Sequence, residues 1–160
     1  MINLVRINAL IGSVLLMLTF TNCKKSPDAV PNMYEHFLEF KDKSDKNLLN
    51  DFDINKLKTD IIVNTEKGDE VNTVYSVVEM NSKKILKINS STLPNNKVNV
   101  LIYTIHNEEL MGDSEKHILK TNWNISNNRI TLTDLFKNGE KQISIKEDFV
   151  SFSHYVLTKE

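Results

Sequence analysis

The segment HNEELMGDSEKH carries the densest group of side chains with acid–base or metal-binding chemistry in this sequence. Imidazole and carboxylate groups are ligands that zinc and similar ions accept. The members of this group are His106, Glu108, Glu109, Asp113, Glu115 and His117. Their spacing matches no metal motif, so we expect a solvated loop that binds no metal. A metal-assisted hydrolase that uses this loop is the alternative.

The rest of the sequence offers little further catalytic chemistry. His36 and His154 stand alone and are expected to be surface or partly packed imidazoles. No serine lies in a Gly-x-Ser-x-Gly elbow, and the 4 glycines form no phosphate-binding loop. The sequence therefore predicts no catalytic residues, no cofactor and no enzymatic activity.

The single cysteine, Cys23, follows an apolar run and precedes two lysines. The run, ALIGSVLLMLTF at residues 9–20, contains no charge and lies behind Arg6. A membrane-spanning helix needs about 20 apolar residues, whereas a shorter core behind a basic start is typical of a secretory signal. A buried helix or an uncleaved membrane anchor would be the alternative. An exported chain with one cysteine can form no internal disulfide, which leaves its thiol to be explained.

Residues 1–25 resemble the signal of bacterial lipoproteins, in which a lipobox ends in a cysteine. The resemblance implies cleavage before Cys23 and a diacylglyceryl group on its sulfur. Residues 1–22 would then be a signal peptide, and residues 23–31 would be a tether that joins a membrane to the domain. Lys24 stands where many lipoproteins of the inner membrane have Asp, which favours the outer membrane of the cell envelope.

The charge balance excludes one class of partner. The chain has 20 Lys and Arg against 21 Asp and Glu, with a net charge of −1. Its two arginines are Arg6 and Arg129, although arginine is the side chain best suited to bidentate phosphate contacts. We therefore expect no nucleic-acid partner.

The apolar pattern predicts one helix and then a series of strands. Apolar residues recur at helical spacing from Asn32, with Met33, Phe37 and Phe40 as one series, which predicts an amphipathic helix over residues 32–43. After about Lys56 the period changes to two. The predicted strands are TDIIVNTE, VNTVYSVVEM, KILKINSS, VNVLIYTIH, HILKTNWNI, RITLT, QISIK and FVSFSHYVLT.

These elements predict a mainly β domain over residues 32–160, with about eight strands in an antiparallel meander. Asn127-Asn128 and Asn138-Gly139 are expected to form tight hairpin turns. No gap after residue 56 could hold a crossover helix, so parallel pairing is not expected. Either a barrel or a sandwich satisfies the pattern.

A second resemblance concerns NWNISNNRITLTDLFKNGEKQISIK, at residues 122–146. This segment looks like the later strands of small lipocalin-like domains found on bacterial lipoproteins, which implies barrel closure but carries over no functional residue. We expect a non-enzymatic binding module for a protein or envelope component, with a carrier of a small apolar ligand as the alternative. Trp123 distinguishes the two, because a filled core would bury it with Leu119 and Ile125, whereas a carrier would place a cavity beside it.

Overall fold

Ten β-strands account for most of the residues that the computed structural model describes, which are residues 30–127, 129–146 and 153–159. The strands are β1 (Asn32–Lys41), β2 (Ile61–Thr65), β3 (Asn72–Met80), β4 (Lys83–Thr92), β5 (Val100–Ile105), β6 (His117–Ser126), β7 (Arg129–Lys137), β8 (Glu140–Lys141), β9 (Ser144–Lys146) and β10 (Ser153–Thr158). Two single-turn helices, α1 (Leu57–Asp60) and α2 (Glu108–Met111), and a 3-10 turn at Ile54–Lys56 lie between strands. The mainly β prediction is confirmed. The predicted signal, Cys23 and most of the tether lie outside the described residues.

The strands form two five-stranded sheets. The first has the order β3-β4-β1-β10-β9 and the second the order β2-β5-β6-β7-β8. Both contribute to one hydrophobic core, in which Tyr34 of β1 meets Trp123 of β6 at a ring-centroid distance of 5.3 Å. Within the described part of the chain the strands therefore make two packed layers and not a closed barrel.

The helix predicted over residues 32–43 is wrong, because Asn32–Lys41 is the central strand β1. Tyr34, Leu38 and Phe40 point into the core at a period of two. Phe37 is also buried, on the opposite face. A strand buried on both faces loses its polar alternation, and its apolar residues then fit a helical period by coincidence.

The expectation of antiparallel pairing throughout is also wrong, because β1 pairs in parallel with β10. The register places Leu38 opposite Tyr155 and Phe40 opposite Leu157. A parallel pair needs a long connection, and here nearly the whole domain lies between the two strands. No crossover helix is required.

The predicted hairpins are confirmed where they are described. Lys137 pairs with Glu140 across Asn138 (φ 50°) and Gly139 (φ 90°). Ser126 pairs with Arg129 around a turn that begins at Asn127. The alternation predicted for β6 is confirmed as well, since its buried residues are His117, Leu119, Thr121 and Trp123.

The strand directions give the domain two ends. The tether end, where the chain enters at Pro31, comprises Pro31, the turn at residues 66–69, the loop at residues 93–99 and the β6–β7 hairpin tip. The distal end comprises α1, α2 and the turns after β3 and β7. The histidine and carboxylate segment, residues 106–117, lies at the distal end.

Candidate binding groove

The distal segment at residues 106–117 is a structured cap. Asn107 begins α2 by accepting a hydrogen bond from the Leu110 backbone N–H to its side-chain oxygen, at 2.9 Å. Gly112 ends the helix with a φ of 104°, in the left-handed region that glycine adopts without a Cβ penalty. Leu110 and Met111 are buried beneath it. The helix therefore closes one end of the core.

Protein groups contact both ring nitrogens of His117. Asn138 Nδ2 donates to Nδ1 at 3.1 Å, and Nε2 lies 2.8 Å from Asp113 Oδ1. The hydrogen bond from His117, together with one from the Glu115 backbone N–H, lowers the pKa of Asp113. These contacts orient the ring for packing, because neither nitrogen is left open to a ligand.

The remaining charged groups of this segment are not gathered around a common point. His106 and Glu108 are exposed, and Glu109 pairs with Lys56 at 2.6 Å. Among the described residues, no group of three or more His, Cys, Asp or Glu side chains is placed to hold a metal ion. The structure thus explains the segment as a cap. The expectation that it binds no metal stays a prediction.

Two buried polar residues were not recognised from the sequence. His36, expected near the surface, is 2% exposed, and its ring lies 4.9 Å from the ring of Tyr103 and 5.9 Å from that of Trp123. Neither ring nitrogen has a hydrogen-bond partner among the described residues. Burial lowers the pKa of His36 to about 3. His36 is therefore a neutral ring packed in the core.

The second case is a buried pair in the first sheet. His154, also expected near the surface, is 2% exposed and its Nε2 lies 3.3 Å from Glu39 Oε2. The other carboxylate oxygen lies 3.5 Å from Lys41 Nζ. This cluster therefore links the side chain of His154 on β10 to two side chains of β1 across the parallel pair.

A groove lies where β2 and β3 separate. The two strands start as a hairpin, in which the Val71 N–H donates to the Val63 carbonyl at 2.8 Å and the Thr65 N–H donates to the Asp69 carbonyl at 2.9 Å. Beyond Val71 they diverge into different sheets, because β2 pairs with β5 and β3 pairs with β4. The cleft between the two sheet edges has a volume of about 580 Å³.

Apolar side chains form the floor of the groove, and its rim carries two opposite charges. Ile61, Val63 and Val71 are buried at its base, while Ile62 and Val74 are 53% and 60% exposed at its rim. The Tyr75 hydroxyl reaches across the groove toward the Ile61 carbonyl, at 3.4 Å, and burial raises the pKa of this phenol. Lys58 and Glu70 supply the charges. This combination suits an extended chain with apolar side chains on one side.

The β3 edge of the groove is long, and no strand among the described residues pairs with it on the groove side. β3 has nine residues, and β4 is its only strand partner in the part of the chain that the structure describes. It contains one charged residue, Glu79, and no proline. By contrast, the edge strands at the opposite side, β8 and β9, have two and three residues. Natural proteins usually protect long edges with charges, bulges or proline, and β3 has little of this protection.

Comparisons of the chain with models of known protein families, with curated proteins and with solved structures find no match in any of the three. Within the described residues, no helix has the length and apolar character needed to cross a bilayer.

The groove between β2 and β3 was not predicted from the sequence. The valines of β3 predicted a strand, but its position at a sheet edge depends on which strands pair.

Proposed function

We propose that this protein is a lipoprotein of the bacterial cell envelope that acts as a non-enzymatic binding module. A lipid on Cys23 anchors it to a membrane, with the outer membrane favoured, and an extended segment of another protein adds to the free edge of β3. The anchor rests on the apolar run, the position of Cys23 and the resemblance of residues 1–25 to lipoprotein signals.

The observation that carries the binding role is the open edge of β3 beside the apolar groove. An added strand would satisfy the outward backbone N–H and C=O groups of β3, which supplies affinity without regard to sequence. Every second side chain of that strand would enter the groove beside Tyr75 and Val63, which supplies selectivity. The partner segment is therefore an extended stretch in which apolar and polar residues alternate.

Lipid anchoring suits such a module because it raises the effective concentration of the domain at the membrane. Strand addition over a few residue pairs is a modest interface, of the size found in weak or transient complexes. Confinement of both partners to one membrane surface compensates for this modest affinity. The edge and the anchor therefore support the same function.

Site-specific photo-crosslinking in cells tests the groove. A benzoylphenylalanine residue in place of Val74 is expected to form a covalent adduct with a partner polypeptide in the membrane fraction. The same residue in place of Ile143, which is 87% exposed outside the groove, serves as the matched control and should give no such adduct. Ser76→Lys, which puts a charge in the middle of the edge, should reduce the adduct at position 74.

Two results would count against the binding role. Equal adducts at positions 74 and 143 would indicate non-selective contact. An adduct between two copies of this chain alone would assign the edge to self-association.

The anchor has its own test. Cys23→Ser should abolish incorporation of labelled palmitate and the mature, detergent-extracted form, because only a cysteine sulfur forms the thioether. Cys23→Ala serves as a second variant with the same expectation. Equal palmitate labelling of either variant and the wild type would contradict lipidation at this residue.

A further inference from the structure

Exposed apolar side chains occur at the tether end, beside the point where the chain enters the domain. Leu93 is 76% exposed and Met33 is 48% exposed. Both lie beside Asn32, because Met33 follows it in β1 and Asn32 pairs with Thr92, the residue before Leu93. Pro31 and Leu93 line a shared surface groove of about 590 Å³. Asn32, at the start of β1, thus lies beside a few exposed apolar side chains.

The loop that presents Leu93 is fixed by hydrogen bonds. The side-chain amide of Asn32 donates to the carbonyl oxygens of Leu93, at 2.8 Å, and Pro94, at 3.1 Å. The Asn96 N–H donates to the Leu93 carbonyl at 2.8 Å, and the Thr92 hydroxyl donates to the Asn96 carbonyl at 2.6 Å. The loop is therefore a defined turn that holds the leucine side chain outward.

The charges around this loop are mixed. Lys67 and Lys97 line a cleft of about 270 Å³ between the turn after β2 and the loop at residues 93–99. Glu66 and Asp69 line the same cleft, and Glu66 pairs with Lys120 at 3.1 Å. Because acidic and basic groups nearly balance, apolar contact and not net charge would dominate any association of this surface.

Chain length limits how far this end can be from an anchor at Cys23. Seven residues lie between Cys23 and Pro31, and the eight Cα–Cα steps of a fully extended connection span at most ~28 Å. Lys24 and Lys25 belong to this short connection and would lie near the headgroups. The tether would thus hold the tether end within reach of a lipid surface.

We propose that the tether end rests on the membrane, with the Leu93 side chain in the interfacial layer and Lys67 and Lys97 among the headgroups. The inference rests on the proposed lipid anchor. Leucine placed at the interface gains from burial of its side chain, and lysine stems extend toward the polar layer. In this orientation the distal end points away from the membrane, and the β3 edge runs outward from it.

Fluorescence quenching in vesicles tests the orientation with the full lipidated chain. Cys23 is the only native cysteine, and the thioether of the proposed lipid would block its sulfur, so an introduced cysteine takes a thiol dye selectively. The probe site is Asn95→Cys, two residues after Leu93, and the matched control is Ser114→Cys at the distal end. Vesicles contain phosphatidylethanolamine and phosphatidylglycerol, with spin-labelled phosphatidylcholine as the quencher.

We expect the dye at position 95 to be quenched and the dye at position 114 to keep its emission. Adding Leu93→Asp to the Asn95→Cys chain should remove most of the quenching, whereas raising the salt concentration should leave most of it in place. Co-sedimentation with the vesicles reports the anchor separately from the contact.

The possible outcomes separate the two proposals. A chain that sediments with vesicles but shows equal emission at both positions overturns the orientation and leaves the anchor standing. Equal quenching at both positions also overturns the orientation, because the domain would then lie on its side. A chain that does not sediment overturns the anchor and this inference together.

Discussion

His36 is a costly residue for the centre of a core, because both ring nitrogens lack hydrogen-bond partners among the described residues. The groups that face it are the phenol of Tyr103 and the indole of Trp123, neither of which carries a charge. The folded state therefore requires the neutral imidazole. The unfolded chain has no such requirement, since its histidine titrates at the usual value of about 6.5.

The folded pKa of about 3 predicts a loss of stability in acid. Below pH ~6.5 the unfolded state binds a proton that the folded state excludes, so the free energy of unfolding falls as the pH falls toward 3. The contribution of His36 to this loss is about 2 kcal/mol at about pH 5.

Urea unfolding at neutral and acidic pH measures this effect. His36→Phe, which removes the titrating ring, should show a smaller loss of stability than the wild type between about pH 7.5 and about pH 5. His106→Phe, at an exposed position, should retain the wild-type dependence. Identical pH dependence in His36→Phe and the wild type would contradict the assignment.

Trp123 tests whether the core is filled. Its ring is 3% exposed, packs edge-on against Tyr34, and donates its indole N–H to the Thr121 hydroxyl at 2.8 Å. Trp123→Ala should reduce the free energy of unfolding by about 3–5 kcal/mol, and Trp123→Phe should cost less. A saturable change of Trp123 fluorescence with a fatty acid, together with a small cost in Trp123→Ala, would favour the carrier alternative instead.

At the scale of single elements, the hairpin between β7 and β8 depends on Gly139. Its φ of 90° strains any L side chain, while no atom lies within 4 Å of the position that a Cβ would take. Gly139→Ala should therefore cost about 1 kcal/mol through the backbone alone. Gly139→Asn is the control and should cost less, because asparagine tolerates positive φ. Thermal unfolding measures both, and an unchanged melting temperature in Gly139→Ala would show that the turn contributes little.

Elements with local signals could be predicted from the sequence, and elements set by distant contacts could not. The turn at Asn138-Gly139 and the alternation around Trp123 are visible within a few residues, and both are confirmed. By contrast, local sequence does not show that Asn32–Lys41 is a strand, because burial of Phe37 and Glu39 on the second face removes the alternation. The groove follows the same rule, since no local feature of β3 shows that β4 is its single partner among the described strands.

At the scale of the whole molecule, β10 completes the first sheet. It lies between β1 and β9, and its Tyr155 and Leu157 are buried in the core. Each such side chain contributes about 1.5–3 kcal/mol, against a total stability of roughly 5–15 kcal/mol for a domain. The loss of this strand also turns β1 from a central strand into an edge strand with one side unpaired.

A chain that ends at Lys146 should therefore lose its cooperative thermal transition. A synthetic peptide of residues 147–160, added to the shortened chain, should restore part of the transition by reforming the parallel pair. The control peptide carries Tyr155→Asp and Leu157→Asp and should restore none. A cooperative transition in the shortened chain without peptide would show that β10 is dispensable.

The parallel pair of first and last strands also sets the order of events during synthesis. Glu39 and His154 meet although 115 residues separate them, so closing this pair demands a large loss of chain entropy and a high contact order. The central strand of the first sheet cannot gain its second neighbour until the final residues are available. A chain that emerges in N-to-C order would therefore complete the first sheet only after Ser153–Thr158 becomes available to pair with β1.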